Sequence, residues 1–306
     1  MVTKPKRLQK GDTIGVIAPA SPPDFEKLEQ GIRFIEKLGL HVKIGKHIEK
    51  KMGYLAGTDE ERLEDFHTMF TDNNVKAVIC ARGGYGTARF ASKIDYELIK
   101  KNPKIFWGYS DITFLHTAIH QQTGLVTFHG PMLESDLGTS DVDPLSKHYF
   151  QQLFEPQTIT YSERISPLEG MVHGMARGQI VGGNLSLLIS TLGTPFEIDT
   201  RGKLLFIEDV NEIPITIDRM LNQLFMAGKL KDITGFLIGD FHDCLSKTDG
   251  SLTLEDVLIH YVLLANKPTL KGFKIGHCSP NISIPLGVWA SINTFEKKLH
   301  VESGIL

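Results

Sequence analysis

Three residues far apart in the chain carry side chains that together can perform acyl transfer: Ser110, Glu208 and His277. A serine hydroxyl is inert near neutral pH unless a base takes its proton. Imidazole titrates in the right range for that task. A carboxylate behind the imidazole holds its productive tautomer and stabilises the cation that forms. In chain order the three read nucleophile, acid, base. Each follows an apolar run that reads as a buried strand: Lys104–Tyr109 before Ser110, Leu204–Ile207 before Glu208 and Asp209, and Phe273–Gly276 before His277. Spacing alone does not establish proximity, and each residue has an ordinary structural reading. Ser110 can be a helix cap, Glu208 a cap for the next segment, and His277 a structural histidine.

Ser110 has the most informative surroundings. The strand before it stops abruptly, and a helical pattern begins at once with Ile112, Leu115 and Ile119 on one face and Gly124 as a stop. A serine there stands at a helix amino end, where unpaired N–H groups and the helix dipole favour negative charge. An attacking hydroxyl needs those conditions, because fixed donors must meet the oxygen charge that develops. The sequence is not the G-x-S-x-G elbow, since Ile112 stands where the second glycine would be. Cys278 follows His277 directly, so the two side chains should diverge, which argues against a thiol nucleophile. The run Asp240-Phe241-His242-Asp243-Cys244 invites a metal reading. Adjacent residues on an extended segment point to opposite faces, however, and no partner cluster appears elsewhere. No metal and no cofactor are expected.

Two glycine turns add candidate binding groups. Arg82-Gly83-Gly84-Tyr85-Gly86-Thr87 can turn tightly and present bare N–H groups to an anion. It supports three readings: a phosphate cradle, a tight turn without ligand, or an oxyanion or substrate-backbone site facing Ser110. As G-x-G-x-x-R it lacks the third small residue of the dinucleotide fingerprint. Gly182-Gly183-Asn184-Leu185 opens a helix and is a second possible anion or carboxylate site.

The elements that must position these groups alternate. Thr13–Ala18, His41–Ile44, Val75–Ala81, Lys104–Tyr109 and Leu125–His129 read as strands, with helical stripes between them. Ser21-Pro22-Pro23-Asp24 reads as a helix start with Ser21 as cap, and Thr58 with Glu61 as a capping box. This order predicts an α/β fold with a parallel sheet and its ligand crevice beyond the strand carboxyl ends. From Leu133 to Gly170 the chain turns polar and irregular, with Asp141, Asp143, Pro144, Pro156 and Pro167. The expected organisation is therefore a nucleophile domain over 1–150, a linker over 151–170, and a second domain over 171–306 carrying Glu208 and His277. That second domain closes with a hairpin around Asn293–Lys297.

The 306 residues are 41% hydrophobic and 23% charged, as expected of a globular chain long enough for two domains. A net charge of −3 leaves no basic excess to neutralise phosphates, so nucleic acid is not an expected partner. No apolar run reaches the ~18 residues of a membrane span. The basic start, Met1 to Arg7, is not followed by a signal-peptide core, which gives a cytoplasmic expectation. Three scattered cysteines show neither a disulfide framework nor metal spacing.

Taken together, the motifs resemble one family. Ala81-Arg82-Gly83-Gly84-Tyr85-Gly86, Gly108-Tyr109-Ser110-Asp111, Gly182-Gly183-Asn184-Leu185, Phe206-Ile207-Glu208-Asp209 and Gly276-His277-Cys278 occur in the order seen in LD-carboxypeptidases. Ile17-Ala18-Pro19-Ala20-Ser21 is similar as well. The resemblance spans nearly the whole chain. It implies a Rossmann-like amino-terminal domain and a swivelling β/α carboxyl-terminal domain. It also implies a serine peptidase with a Ser110–Glu208–His277 triad and an oxyanion hole of backbone amides, assigned here to Gly84 and Asp111. The implied substrate is a murein tetrapeptide that loses its terminal D-alanine during cytoplasmic cell-wall recycling, and the implied assembly is often a homodimer. Arg82, Gly83 and Asn184 are candidates for contacts to the substrate. A branch of the family that hydrolyses microcin-type peptidyl-nucleotides is the alternative, and a non-catalytic nucleotide-binding module is the other.

Overall fold

The structure, a computed structural model, describes residues 2–139, 142–246 and 248–306. Asp141 of the polar stretch lies outside them. The chain divides into two compact units: Met1–Gln157 with Ser279–Gly287 and Ser303–Leu306, and Thr158–Cys278 with Val288–Glu302.

In chain order the first unit contains β1 (Thr13–Ile17), α1 (Phe25–Lys37), β2 (His41–Ile44), α2 (Asp59–Thr71), β3 (Val75–Cys80) and α3 (Thr87–Ala91). There follow α4 (Tyr96–Lys101), β4 (Ile105–Gly108), α5 (Ile112–Thr123), β5 (Thr127–His129) and α6 (Pro144–Tyr149). The second unit begins with β6 (Ile159–Ser162), β7 (Glu169–Val172), β8 (Met175–Asn184), α7 (Leu185–Thr191) and β9 (Leu204–Val210). It continues through α8 (Pro214–Met226), β10 (Gly235–His242), α9 (Leu254–Ala265) and β11 (Thr269–Lys271). The chain then returns to the first unit for β12 (Ile284–Leu286), and to the second for β13 (Trp289–Asn293) and β14 (Lys298–Val301).

The first sheet has the order β12-β5-β4-β3-β1-β2. Strands β1 to β5 pair in parallel, and β12 adds an antiparallel edge. The strand order reverses between β1 and β3, the place where open parallel sheets form their crevice. The loops after β1, β3 and β4 leave the same sheet end. β4 is buried throughout, as is most of β3, which is why both read as continuous apolar runs. The predicted Thr58–Glu61 capping box is present, with both reciprocal hydrogen bonds made. The start of α1 differs from expectation. Asp24, not Ser21, caps it, accepting the Lys27 N–H at 3.1 Å. Ser21 and Pro22 each precede a proline and are driven out of the helical region, so the helix begins only beyond Pro23.

The second sheet has the order β6-β14-β13-β8-β9-β10-β11-β7. β8, β9, β10 and β11 pair in parallel, and the flanking pairs are antiparallel. Leu188, Leu205, Ile207, Ile217, Leu221 and Phe236 lie in one buried apolar cluster to which α7, α8 and α9 all contribute.

Three further differences from the sequence reading appear. The stretch 151–170, expected as a linker, supplies β6 and the start of β7. Residues 279–287 and 303–306, assigned to the second domain, pack with the first. Phe273–Cys278 is not a strand, because Gly272 (φ +102°) and Gly276 (φ +121°) take left-handed conformations that break extension. Among the described residues no helix is long and apolar enough to cross a membrane.

Candidate active site

The nucleophile candidate is built by the β4–α5 turn. Ser110 adopts φ +64°, a left-handed conformation that costs a non-glycine residue about 1–3 kcal/mol. The turn imposes it. Ile112 and Thr113 N–H groups donate to the Tyr109 and Ser110 carbonyls at 3.2 and 2.9 Å, which starts α5 immediately. A strained serine on a strand-to-helix turn is the geometry that lifts a hydroxyl out of the backbone. The side chain of His116, one turn into α5, braces the turn from behind: its Nε2 lies 2.8 Å from the Gly108 carbonyl. Asp111, and not Ser110, holds the cap position of α5, and makes no side-chain bond to the helix end.

The glycine loop after β3 lies against this turn. A Cβ on Gly83 would stand 2.8 Å from Ser110 Cβ, so only a glycine backbone can come this close. Gly84 (φ +116°) and Tyr85 are exposed. Asp111 is 1% exposed and ties the loop to the turn. Its Oδ2 accepts the Thr87 N–H at 2.9 Å, and its carbonyl accepts the Thr87 hydroxyl at 2.8 Å. Burial pushes the Asp111 carboxyl up, against the pull of the Thr87 and Gly86 amides and the charge of Arg62. The Arg82 guanidinium is partly exposed, with Nε 3.6 Å from the buried Glu134 carboxylate.

The acid and base candidates meet within the second unit. His277 Nδ1 lies 2.7 Å from Glu208 Oε2, and Glu208 is fully buried. Neither residue ends a strand. Glu208 lies inside β9, and His277 lies in the loop beyond β11. That loop runs beside β10, where the Asp240 N–H donates to the Ile275 carbonyl at 3.2 Å. Sequence reasoning quoted Gly276 without giving it a role. A Cβ there would stand 2.5 Å from Glu208 Oε2, so the glycine clears space for the carboxylate behind the imidazole. Burial pushes the Glu208 carboxyl up, while His277 and the Asn184 amide favour its charged form. With Nδ1–H donated to that carboxylate, the basic nitrogen of the ring is Nε2.

The two adjacent acids divide the two roles that sequence left open, because neighbours on a strand face opposite ways. Asp209 is the cap: its carboxylate accepts the Ser186 N–H and hydroxyl at 2.9 and 2.8 Å and the Asn184 amide at 3.0 Å. Gly182–Asn184, expected as a glycine turn, is instead the end of β8, paired in parallel with Phe206–Glu208 of β9. Asn184 is 3% exposed, caps α7 through the Leu187 N–H and donates its side-chain amide to Asp209. Gly182 (φ +131°) serves sheet packing, since a Cβ would collide with the Phe206 carbonyl oxygen. Among the described residues no group of three or more His, Cys, Asp or Glu side chains is arranged to hold a metal ion.

Known proteins place this chain clearly. Residues 14–130 match the LD-carboxypeptidase N-terminal domain and residues 177–292 the LD-carboxypeptidase C-terminal domain. A probable murein peptide carboxypeptidase of Bacillus subtilis is 62% identical over 303 residues, covering 99% of this chain and 95% of its own. Among solved structures, a muramoyltetrapeptide carboxypeptidase from Oxalobacter formigenes aligns with a TM-score of 0.84 at 29% identity, over 94% of this chain and 97% of that one. The microcin C7 self immunity protein MccF aligns with a TM-score of 0.89 at 26% identity, over 98% of both chains. The matched domains take in every candidate catalytic residue, and the chain belongs to the LD-carboxypeptidase family.

Proposed function

We propose that this protein is a serine carboxypeptidase that cleaves the bond between an L-centre and the terminal D-alanine of a murein tetrapeptide. Ser110 Oγ attacks the scissile carbonyl as His277 Nε2 takes its proton. The Gly84 and Asp111 N–H groups receive the tetrahedral oxyanion. Collapse expels D-alanine, whose amine takes the proton back from His277. Water, activated by the same imidazole, then hydrolyses the acyl-enzyme. Glu208 holds the ring and stabilises its cation, and Arg82, with the Gly83 backbone, is the candidate for binding the peptide end.

The observation that carries the catalytic part is the fully buried Glu208 carboxylate 2.7 Å from His277 Nδ1, an arrangement with a chemical purpose and a desolvation cost. The substrate rests on the names of the Bacillus subtilis and Oxalobacter formigenes relatives. Incubation with a murein tetrapeptide, followed by mass analysis, should show loss of one alanine. Ser110→Ala should abolish turnover and retain peptide binding. An intact tetrapeptide, or a Ser110→Ala variant at full rate, would remove the reading. The same reading takes the enzyme as a cytoplasmic homodimer, which sedimentation and fractionation would test.

The likeness to MccF supports a second reading, hydrolysis of a microcin-type peptidyl-nucleotide. A panel comparing the tetrapeptide with an aminoacyl-nucleotide conjugate separates the two.

A further inference from the structure

The segment Ile17-Ala18-Pro19-Ala20-Ser21 has no role in the chemistry above, and Ser21, displaced from capping α1, has been given other work. Its N–H donates to the Gly83 carbonyl at 3.2 Å, and its hydroxyl accepts the Tyr85 N–H at 3.3 Å. These bonds bracket Gly84. A Cβ on Gly84 would stand 2.2 Å from Ser21 Oγ, so the bare glycine backbone is seated directly on the serine.

The far end of the loop is held from α2. Arg62 is 2% exposed, and its Nη1 donates to the Gly86 carbonyl at 2.8 Å and to the Pro19 carbonyl at 2.7 Å. The same guanidinium pairs with Asp59 and lies over the Phe90 ring, 5.2 Å from its centroid. One rigid fork thus fastens the loop after β1 to the loop after β3. Thr87 then fastens the loop after β3 to the turn after β4 through Asp111. Burying an arginine is expensive unless its donors are satisfied. Here two of its hydrogen bonds go to backbone carbonyls of the two loops at the sheet's switch point, and the others go to the Thr58 carbonyl and the Asp59 carboxylate.

We propose that Ser21 and Arg62 are positioning residues that fix the Gly83–Gly86 loop, so that the Gly84 N–H is aimed at the developing oxyanion before substrate arrives. The proposal rests on the carboxypeptidase reading. Donors that need no reorganisation at the moment of reaction are worth more than mobile ones. Neither side chain is asked to touch the substrate, so their loss should act on turnover and spare affinity.

The test is Ser21→Ala in the full chain. Removing one oxyanion donor outright costs about 10²–10³ in kcat, and a loosened one should cost about 10–100-fold. Tetrapeptide affinity, measured by calorimetry with Ser21→Ala/Ser110→Ala against Ser110→Ala, should not change. A rise in KM at unchanged kcat, or no change in either, overturns the proposal. Amide hydrogen exchange of the wild-type chain gives a readout independent of any variant's folding. The Tyr85 N–H should be protected, and exchange as fast as in a free loop overturns the proposal too. A wild-type enzyme that leaves the tetrapeptide intact refutes the carboxypeptidase reading and the catalytic half of this inference with it. The holding of the loop is then decided by exchange alone.

Discussion

His116 offers a test of the nucleophile turn that does not use activity. It is 1% exposed, with the Phe106 ring 5.4 Å from its own and Nε2 against the Gly108 carbonyl. Nε2 must carry the proton to donate to that carbonyl, and Nδ1 has no hydrogen-bond partner among the described residues. A second proton would be a buried charge with nothing to receive it. Burial accordingly pushes the imidazole down from 6.5 to about 4, although the Gly108 bond pulls the other way. Between those values the unfolded chain binds the proton and the folded chain refuses it, so stability rises with pH across the window. The contribution is complete above about pH 6.5 and is lost as pH falls toward 4. The gap between the two values corresponds to about 3 kcal/mol. His116→Gln keeps an N–H donor for Gly108 and does not titrate. Urea unfolding can be followed by fluorescence of the buried Trp107 in a Trp289→Phe background, so that the first unit alone is reported. From pH 7 to 4 the parent should lose about 3 kcal/mol more than the His116→Gln variant. Parallel stability curves over that range would refute the argument.

Two further changes test the acid–base pair. Glu208→Gln should keep the fold and lower kcat by about 10³–10⁴, because an amide can present its N–H to Nδ1 and hold the wrong tautomer; a loss under tenfold in steady-state kinetics would show that the carboxylate is not the orienting group. Gly276→Ala combines a left-handed φ with a Cβ 2.5 Å from Glu208 Oε2. It should cost about 1–3 kcal/mol in denaturant unfolding and depress kcat by displacing the carboxylate, and a variant with unchanged stability and rate would contradict the geometry.

What could be read from the residues alone follows from which interactions are local. The β4–α5 junction was legible because a continuous apolar run gives way to helical period within a few residues, and Thr58 with Glu61 announced α2 through a bond between near neighbours. The face assignments of Glu208 and Asp209 were not legible. Alternation fixes that they differ, but only the neighbours across the sheet decide which meets the histidine. β6 and β7 escaped notice because they are short and flanking. β7 is mostly half-exposed and so carries no apolar pattern, and β6 is paired by β14, far along the chain. His277 was singled out by type and order, while the strand drawn around it was wrong, since two glycines that favour left-handed backbone outweigh an apolar run. Ser21 was misread because a capping pattern was credited before the effect of consecutive prolines.

The return of β12 to the first sheet means that neither unit is a continuous stretch of sequence. The chain passes between them at 157/158, 278/279, 287/288 and 302/303. A fragment ending at Gln157 would carry β5 with one side bare, an unpaired row of N–H and C=O groups open to any other strand. Separate expression of the halves should therefore give sticky material. During synthesis, too, the first sheet must wait for residues 284–286 to emerge before β5 is covered on that side.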